Sequence, residues 1–480
     1  MVERDVHLNR GNHRSHAQGL TTLARLAALA MALLPCVAGA QKLDYSLYTG
    51  VEHSSNIALS PTDPMSQNVL IPGLNFIYAE QGSTVQANVA GTLEYHDFLG
   101  DKFENQTQTE LSGHVNWAVL PSRLDFSFDD SAGVQPLNSL ASNAPGNQQQ
   151  INVLSLGPTL QLEFPDALRG QFELRYINSY ASKTTNFDSS SGLAAFRLYH
   201  EISPTDQISL NVESQRVLAN NVSNTGTSAV GGTTTASENY TRNELYGRYL
   251  SRLAKVSIDA EAGWTGLHFN GAPDQSGPMG RITLAWLPTP RSSLELEAAY
   301  QYSNAAQDML LPPGAAPGQS PGQPSGQPSG QAPASQPSSN TGGISVGNTV
   351  VNSQIYLEHV LQATYRFRVD RWSASVTPMV DKLKYINDPT FNQSGHGGTF
   401  TVDYRLRSTI TLSTFATAQR LTYDSLSRTD TTYQYGVNLI RQWTPHWSTR
   451  ASFARQLRTS NALGQSYHEN QIYFGVVFKR

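Results

Sequence analysis

The chain has 480 residues, one cysteine, a formal net charge of −4 and 15% charged residues, against about 25% in an average protein. This weakly acidic composition offers no basic surface for nucleic acid, and a single cysteine excludes a disulfide framework or a cysteine-based zinc site. Beyond the N-terminus no apolar run approaches the ~20 residues of a membrane helix, which leaves a large soluble β protein or a membrane β-barrel.

Residues 1–40 are predicted to form a secretory signal peptide. An apolar stretch over 26–37 follows a segment with four arginines, and the triplet at 38–40 matches an A-x-A cleavage site. Cleavage there makes Gln41 the first mature residue and discards Cys36. A mature chain without cysteine avoids mispairing in an oxidising periplasm.

From Gln41 onward, apolar residues recur at every second position in segments of about ten residues. Leu294 and Leu296, for example, alternate with Glu295 and Glu297. Such alternation places one face of a strand in an apolar medium and the other face in a polar one. The sequence therefore predicts strands throughout residues 41–480.

The links between these segments alternate between short and long. Short links such as 79–83 and 251–255 separate long ones such as 131–150, 217–238 and 303–351. A transmembrane barrel produces this alternation, because its short periplasmic turns and long extracellular loops lie at opposite ends. The predicted fold class is all-β, an up-and-down antiparallel transmembrane β-barrel of about 20 strands (18–22) with both termini in the periplasm. A secreted β-sandwich or solenoid is the alternative.

Aromatic residues concentrate near the ends of the predicted strands. Ordinary β propensity explains aromatics within strands but not at their ends, where amphipathic rings mark the membrane interfaces. Only Trp264 lies at the long-link end, whereas the other tryptophans lie beside short turns: Trp117, Trp286, Trp372, Trp443 and Trp447.

If the apolar positions face lipid, the alternate positions face the lumen, where charged groups stay hydrated. Both signs occur there, so no preference for anions or cations is predicted. These charges would either orient polar solutes across a pore or pair with one another along the wall. The candidate pore-lining residues are Glu94, Glu110, Asp125, Glu173, Arg175, Arg197, Arg248, Glu261, Arg281, Glu295, Glu297, Arg366, Asp403, Arg405 and Arg450.

No catalytic, cofactor-binding or metal-binding motif is found. Residues 343–347 match the G-x-S-x-G pattern, but they lie in a predicted loop and not at the strand-to-helix turn that this motif requires. The histidines are scattered singly, and no paired Cys/His spacing occurs. We therefore expect no enzymatic activity and no cofactor.

The longest link, 303–351, is rich in Pro, Gly and Ser and is predicted to be a disordered extracellular loop. The links 131–150 and 217–238 are also long and nearly free of charge. Neutral hydrogen-bonding loops of this kind suit the binding of glycans. Ordinary solvated loop tips are the simpler interpretation.

Several short segments resemble a known family. They are Gly50–Ile57, Ile71–Leu74, Asn147–Gln150 and Gly157–Leu160. In these segments the chain is similar to outer-membrane β-barrel porins that are encoded beside exopolysaccharide and exosortase genes. The resemblance implies a Gram-negative outer-membrane barrel that passes or retains exopolysaccharide. It brings no catalytic residues with it.

The leading hypothesis is a porin-like outer-membrane channel involved in exopolysaccharide export. Its expected partners are outer-membrane lipid, the barrel-assembly machinery, and polysaccharide or small polar solutes. One alternative is a non-transporting surface anchor or adhesin that binds glycans through the neutral outer loops. Another is a barrel hydrolase of lipids, which would need a serine, a histidine and an acid or amide on adjacent strands.

Overall fold

The computed structural model describes residues 41–100, 102–165, 168–219, 239–270, 272–310 and 352–480. The expected signal peptide with Cys36 lies outside these residues. So do 220–238 and 311–351, which hold most of two predicted long links and the G-x-S-x-G match.

Within the described ranges, no helix is both long enough and apolar enough to cross a lipid bilayer.

Twenty β-strands of 13 to 16 residues follow one another along the chain. They are β1 Gln41–Ser54, β2 Gln67–Gln81, β3 Val85–Leu99, β4 Gln106–Leu120, β5 Leu124–Pro136, β6 Gln148–Glu163, β7 Leu168–Ala181, β8 Ser189–Glu201, β9 Asp206–Ala219, β10 Tyr240–Arg252, β11 Val256–Phe269, β12 Gln275–Thr289, β13 Ser292–Asn304, β14 Ile355–Arg368, β15 Trp372–Tyr385, β16 Gln393–Arg407, β17 Ile410–Tyr423, β18 Arg428–Gln442, β19 Trp447–Ser460 and β20 Tyr467–Lys479.

The strands form one closed antiparallel barrel. Each strand pairs with its neighbours in sequence, and β1 pairs with β20 from Ser46↔Lys479 to Ser54↔Gln471. Closure pairs the two terminal strands, which would otherwise expose backbone N–H and C=O groups to lipid. The predicted all-β, up-and-down antiparallel barrel and the predicted strand number are both confirmed.

The two faces of the barrel wall differ as the alternation predicts. Large apolar side chains on the outer face are exposed, such as Leu361 at 59% and Phe474 at 60%. The neighbouring inward positions carry polar or charged groups, many of them buried, such as Glu358. The pairing register keeps each face continuous, because Glu261 on β11 lies directly opposite Arg281 on β12.

The exposed tryptophans mark the two rims of the outer surface. Trp117, Trp286, Trp372 and Trp447 lie near strand ends beside short turns, and Trp264 lies toward the opposite end. All five side chains are at least two-fifths exposed on the outer face. This arrangement gives the barrel an apolar belt between aromatic interfaces.

The first residues of the link 303–351, which is predicted to be disordered, form regular secondary structure. Strand β13 continues to Asn304, and a short helix, α1 (Ala305–Met309), follows it directly. The Asn304 side chain caps the helix by accepting a 2.9 Å hydrogen bond from the Gln307 N–H. Three 3-10 turns occur elsewhere in the described residues, at Pro145–Asn147, Pro389–Phe391 and Asp424–Leu426.

Candidate functional site

A set of acidic and basic side chains, paired in one group over β7–β10 and a second over β10–β12, runs round the inner wall. We call it the charge ladder. It consists of Glu173, Arg175, Arg197, Glu213, Arg242, Glu244, Arg248, Asp259, Glu261 and Arg281.

The first half of the ladder is deeply buried. Glu173 on β7 pairs with Arg175 at 3.2 Å and with Arg197 on β8. Arg197 then reaches Glu213 on β9, and Glu213 lies 3.3 Å from Arg242 on β10. Each of these side chains is at least nine-tenths buried, so each charge depends on its neighbours to offset the loss of water.

The second half of the ladder is slightly more open. Arg248 on β10 donates a 2.7 Å hydrogen bond to Asp259 and lies 3.4 Å from Glu261. Arg281 on β12 donates a 2.7 Å hydrogen bond to Glu261. It also bonds to Gln301 at 3.0 Å, which extends the network to β13. The ladder contains five acidic and five basic groups, so this wall is highly polar yet carries no net charge.

Helix α1 folds into the lumen. Its residues Ala305 and Met309 are buried in one apolar cluster with Ile151 and Val153 of β6 and with Ile177 of β7. Strands β6 and β7 are not neighbours of β13 in the sheet. The helix therefore reaches these residues through the barrel interior, where it narrows the end that carries the long links.

A buried arginine of the ladder holds helix α1 to the wall. Arg242 Nη1 donates to Gln307 Oε1 at 2.5 Å and to the Tyr302 carbonyl at 3.2 Å. The same guanidinium contacts Glu213. Because a hydrogen bond from a charged donor is stronger than a neutral one, Arg242 couples the position of the helix to the charge ladder.

The carboxylate of Asp308 is the acidic group of helix α1. It accepts hydrogen bonds from the Ser303 hydroxyl at 2.6 Å and from the Tyr356 hydroxyl. Burial raises the pKa of Asp308 to about 6, although these two hydrogen bonds and the positive charge of Arg242 act to lower it. The docked helix therefore favours the protonated carboxyl.

A second segment, the β5–β6 link at 137–147, crosses the lumen from another part of the wall. Arg428 Nη2 on β18 donates to the Leu140 carbonyl at 2.6 Å, and Arg458 Nη1 on β19 donates to the Ala141 carbonyl at 3.3 Å. Asp430 holds both guanidiniums in place. Two inward segments thus narrow the same end of the barrel.

Another part of the inner wall, from β14 to β17, is rich in hydroxyl groups, which lie beside the charged residues Arg366, Asp403 and Arg405. Hydroxyl pairs link neighbouring strands: Thr364 and Thr377 at 3.2 Å, Ser375 and Thr401 at 2.7 Å, and Thr399 and Thr417 at 3.2 Å. The lumen therefore has the charge ladder on one side and a hydroxyl-rich wall on another.

The pairing register places all fifteen predicted pore-lining residues on the inward face, but it does not assemble them into one site. The ladder members among them are Glu173, Arg175, Arg197, Arg248, Glu261 and Arg281. The others lie elsewhere on the inner wall: Glu94, Glu110, Asp125, Glu295, Glu297, Arg366, Asp403, Arg405 and Arg450. Contact of any of them with a solute stays a prediction.

The residues outside the ladder form small local groups. Glu94 on β3 accepts a 2.7 Å hydrogen bond from Tyr48 on β1. Glu295 and Arg366 pair at 3.1 Å and are partly exposed. Asp403 accepts a 2.6 Å hydrogen bond from Ser413. Most of these charges thus have hydrogen-bond or ion-pair partners on the wall.

Sequence reasoning missed four members of the ladder: Glu213, Arg242, Glu244 and Asp259. They occupy inward positions on strands, so the same alternation could have identified them. The contact of Arg242 with helix α1 had no such signal, because it depends on a loop that folds inward.

Within the described part of the chain, no group of three or more His, Cys, Asp or Glu side chains is placed to hold a metal ion.

A closed antiparallel barrel with an apolar outer belt, aromatic rims and a polar interior is an integral outer-membrane β-barrel protein. Residues 394–480, which cover β17–β20 and nearly all of β16, match the family model described as "Putative beta-barrel porin 2". This match confirms the resemblance to outer-membrane β-barrel porins that the sequence predicts.

No curated protein sequence matches the chain. Among solved structures, the siderophore receptor PirA from Pseudomonas aeruginosa is 10% identical, with a TM-score of 0.43 over 92% of this chain and 80% of that one. The FrpB iron transporter from Neisseria meningitidis is 7% identical, with a TM-score of 0.41 over 91% and 81%. At these values the functions of those receptors have no bearing on this chain.

Proposed function

We propose that this protein is a porin-like conduit for polar solutes, with exopolysaccharide as its substrate class. In this proposal the short turns and both termini face the periplasm. The observation that supports it best is the inner wall of β14–β17, where paired serine and threonine hydroxyls face the lumen. Hydroxyls donate and accept hydrogen bonds, as sugars do.

The balanced charges of the ladder fit the same proposal. Five acidic and five basic groups pair along β7–β12, so they give this wall polarity without a net field that would select an ion. A neutral sugar chain would meet ion pairs on one side and paired hydroxyls on the other. This combination favours many weak contacts, which permit passage.

Helix α1 and the link 137–147 act as a gate in this proposal. Both are held by hydrogen bonds from wall arginines to loop acceptors, and not by strand pairing. Such contacts break without unfolding the barrel. The conduit would therefore rest in a narrowed state and widen when the two segments leave the lumen.

The test is conductance in planar bilayers together with swelling of liposomes in iso-osmotic neutral oligosaccharides. We expect small, infrequent conductance steps for the purified protein and larger, frequent steps for Gln307→Ala, with faster swelling. A correctly folded barrel without conductance or swelling in either protein would overturn the proposal. Glycan binding to that impermeable barrel would favour the surface anchor instead.

A further inference from the structure

Three polar side chains form a hydrogen-bonded row on the outer face of the barrel, at the end that carries the long links. His53 on β1 and Asn68 on β2 are directly opposed in the strand register. His53 Nδ1 lies 2.7 Å from Asn68 Oδ1, and Ser66 Oγ lies 3.4 Å from His53 Nε2. All three side chains are exposed.

The hydrogen-bond partners in this row determine which ring nitrogen of His53 carries the proton. The amide oxygen of Asn68 only accepts, so the proton of neutral His53 lies on Nδ1. Nε2 then presents a lone pair to the Ser66 hydroxyl. A serine, a histidine base and a third group that orients the base form the arrangement of nucleophilic catalysis. The contact of 3.4 Å is in the range seen before substrate binds.

The β1–β2 link is folded so that Ser66 stays beside His53. Ile57 N–H donates to the Met65 carbonyl at 2.9 Å, immediately before the serine. The Asn56 amide donates to the carbonyls of Ser60 at 2.8 Å and His468 at 3.1 Å. These hydrogen bonds connect parts of the link to one another and connect the link to strand β20. They thereby hold the backbone around Ser66 in place.

The outer surface of the barrel is apolar next to this row, on the side that faces the bilayer centre. His53 pairs with Ile472 on β20, and Val51, two residues nearer the bilayer centre, pairs with Phe474. Ile472 and Phe474 are both more than half exposed. The three polar groups therefore lie where the apolar belt gives way to the polar interface. The ester bonds of membrane lipids occupy this depth, with their acyl chains extending toward the belt.

We propose that Ser66 and His53 are the catalytic residues, and Asn68 the positioning residue, of a site that hydrolyses acyl esters of membrane lipids. The proposal departs from the expectation that the chain is not an enzyme, and it does not depend on transport. It gives the lipid-hydrolase alternative a histidine and an amide on adjacent strands, with a serine of the link between them beside the histidine.

The reaction balances without a cofactor. Ser66 Oγ attacks the ester carbonyl carbon while its proton passes to His53 Nε2. The bond to the lipid alkoxide breaks, and His53 returns the proton to that oxygen. Water then attacks the acyl-serine, loses its proton to His53, and the fatty acid leaves as Ser66 regains its hydrogen.

A second outward serine provides a matched control. Ser214 on β9 donates a 2.7 Å hydrogen bond to the side chain of Asn243 on β10, and it is exposed like Ser66. Its hydrogen-bond partner is an amide and not an imidazole. His268, whose Nδ1 lies 2.8 Å from Asp274, serves as the corresponding outward histidine.

The test uses the full chain, folded in detergent, with phosphatidylethanolamine in mixed micelles and, separately, lipid A. A fluorophosphonate probe reports the serine, and fatty-acid release reports turnover. We expect labelling at Ser66, and at least a ~100-fold loss of turnover in Ser66→Ala and His53→Ala. Ser214→Ala and His268→Ala should retain both signals. The lipid that is cleaved distinguishes a glycerophospholipid from lipid A as substrate.

Asn68 needs a measurement that a purely structural role would not change. We expect Asn68→Asp to retain turnover and to move the acid limb of the pH–rate profile to higher pH, because a carboxylate stabilises the protonated imidazole. The heat-dependent gel shift of each variant confirms folding. Equal fatty-acid release by the parent protein and Ser66→Ala, or labelling that does not require Ser66, would overturn the proposal. Neither result depends on conductance.

Discussion

Arg242 on the barrel wall and Gln307 in helix α1 are joined by a 2.5 Å hydrogen bond inside the lumen. Arg242 is among the most completely buried side chains of the described residues. It also contacts Glu213 and Glu244. One guanidinium thus binds both to the barrel wall and to the helix that narrows the lumen. The position of the helix is thereby tied to an element that is fixed by strand pairing.

Replacing Gln307 by Ala should free the helix and leave the ladder intact. A hydrogen bond to a charged group contributes about 1.5–3 kcal/mol, so its loss should raise the open fraction roughly tenfold to a hundredfold. Single-channel recordings in planar bilayers measure this fraction. Gln86→Ala, an exposed inward glutamine at the other end of the barrel, should leave it unchanged. Identical opening in both variants would contradict the role assigned to the contact.

Replacing Arg242 itself should have a different effect. Arg242→Ala leaves Glu213 and Glu244 buried without their partner, and breaking a buried pair costs about 3–5 kcal/mol. We expect a lower free energy of unfolding, measured by urea titration in lipid vesicles, in addition to more frequent opening. Gln307→Ala should open the barrel without this loss. If both variants unfold at the same urea concentration, the ladder does not stabilise the wall.

The docking of helix α1 should depend on pH. Asp308 is ordinarily deprotonated above its usual pKa of 3.8, but burial raises the pKa to about 6 in the docked helix. The stabilisation of the docked state is thus fully present below the ordinary value and is lost as the pH rises through about 6. Conductance should therefore increase between pH 4 and pH 7.

Asp308→Asn removes the titrating group and keeps the shape of the side chain. Ser303, Tyr356 and Arg242 would still surround it, and Glu358 lies nearby as a further titratable group. We expect helix α1 of this variant to stay docked, and its lumen to stay narrowed, up to pH 7. A pH response equal to that of the parent protein would assign the titration to Glu358 or another group.

The barrel itself was predictable because its information is local. The alternation of Leu294 and Leu296 with Glu295 and Glu297 requires two different media on the two faces of one strand, whatever the partner strands are. The lengths of the links then give the order of the strands. The inward positions of Arg281 and Glu261 follow directly from this pattern, and the register confirms that they face each other.

The segments inside the lumen were not predictable in this way. Arg428 and Leu140 are separated by 288 positions in the chain, and neither alternation nor composition connects them. The links that fold inward are nearly free of charge, with Asp308 as the exception, and they have no period, as in solvated loops. Likewise Ser66 lies in a link, and only the pairing of β1 with β2 and the return of the link bring it to His53.

The link 137–147 should become accessible when its wall contacts are removed. Arg458→Ala removes the hydrogen bond to the Ala141 carbonyl and weakens the hold on Asp430. In a protein with Cys36 replaced by Ser and a cysteine introduced by Ser142→Cys, we expect faster labelling by a bulky maleimide. Arg441→Ala, outside these contacts, is the control. Unchanged labelling would show that the Arg458 contact does not hold the link inward.

The assignment of inner and outer faces can be tested at two consecutive positions. Leu361, near the middle of β14, is exposed on the outer face, whereas Gln362 faces inward opposite Glu297. Leu361→Arg should lower the free energy of unfolding by about 2–4 kcal/mol, since it places a charge in the hydrocarbon. Gln362→Arg adds the same side chain beside a carboxylate in the lumen and should cost far less. Urea unfolding in vesicles compares the two, and a reversed order would mean that the register of β14 is shifted by one residue.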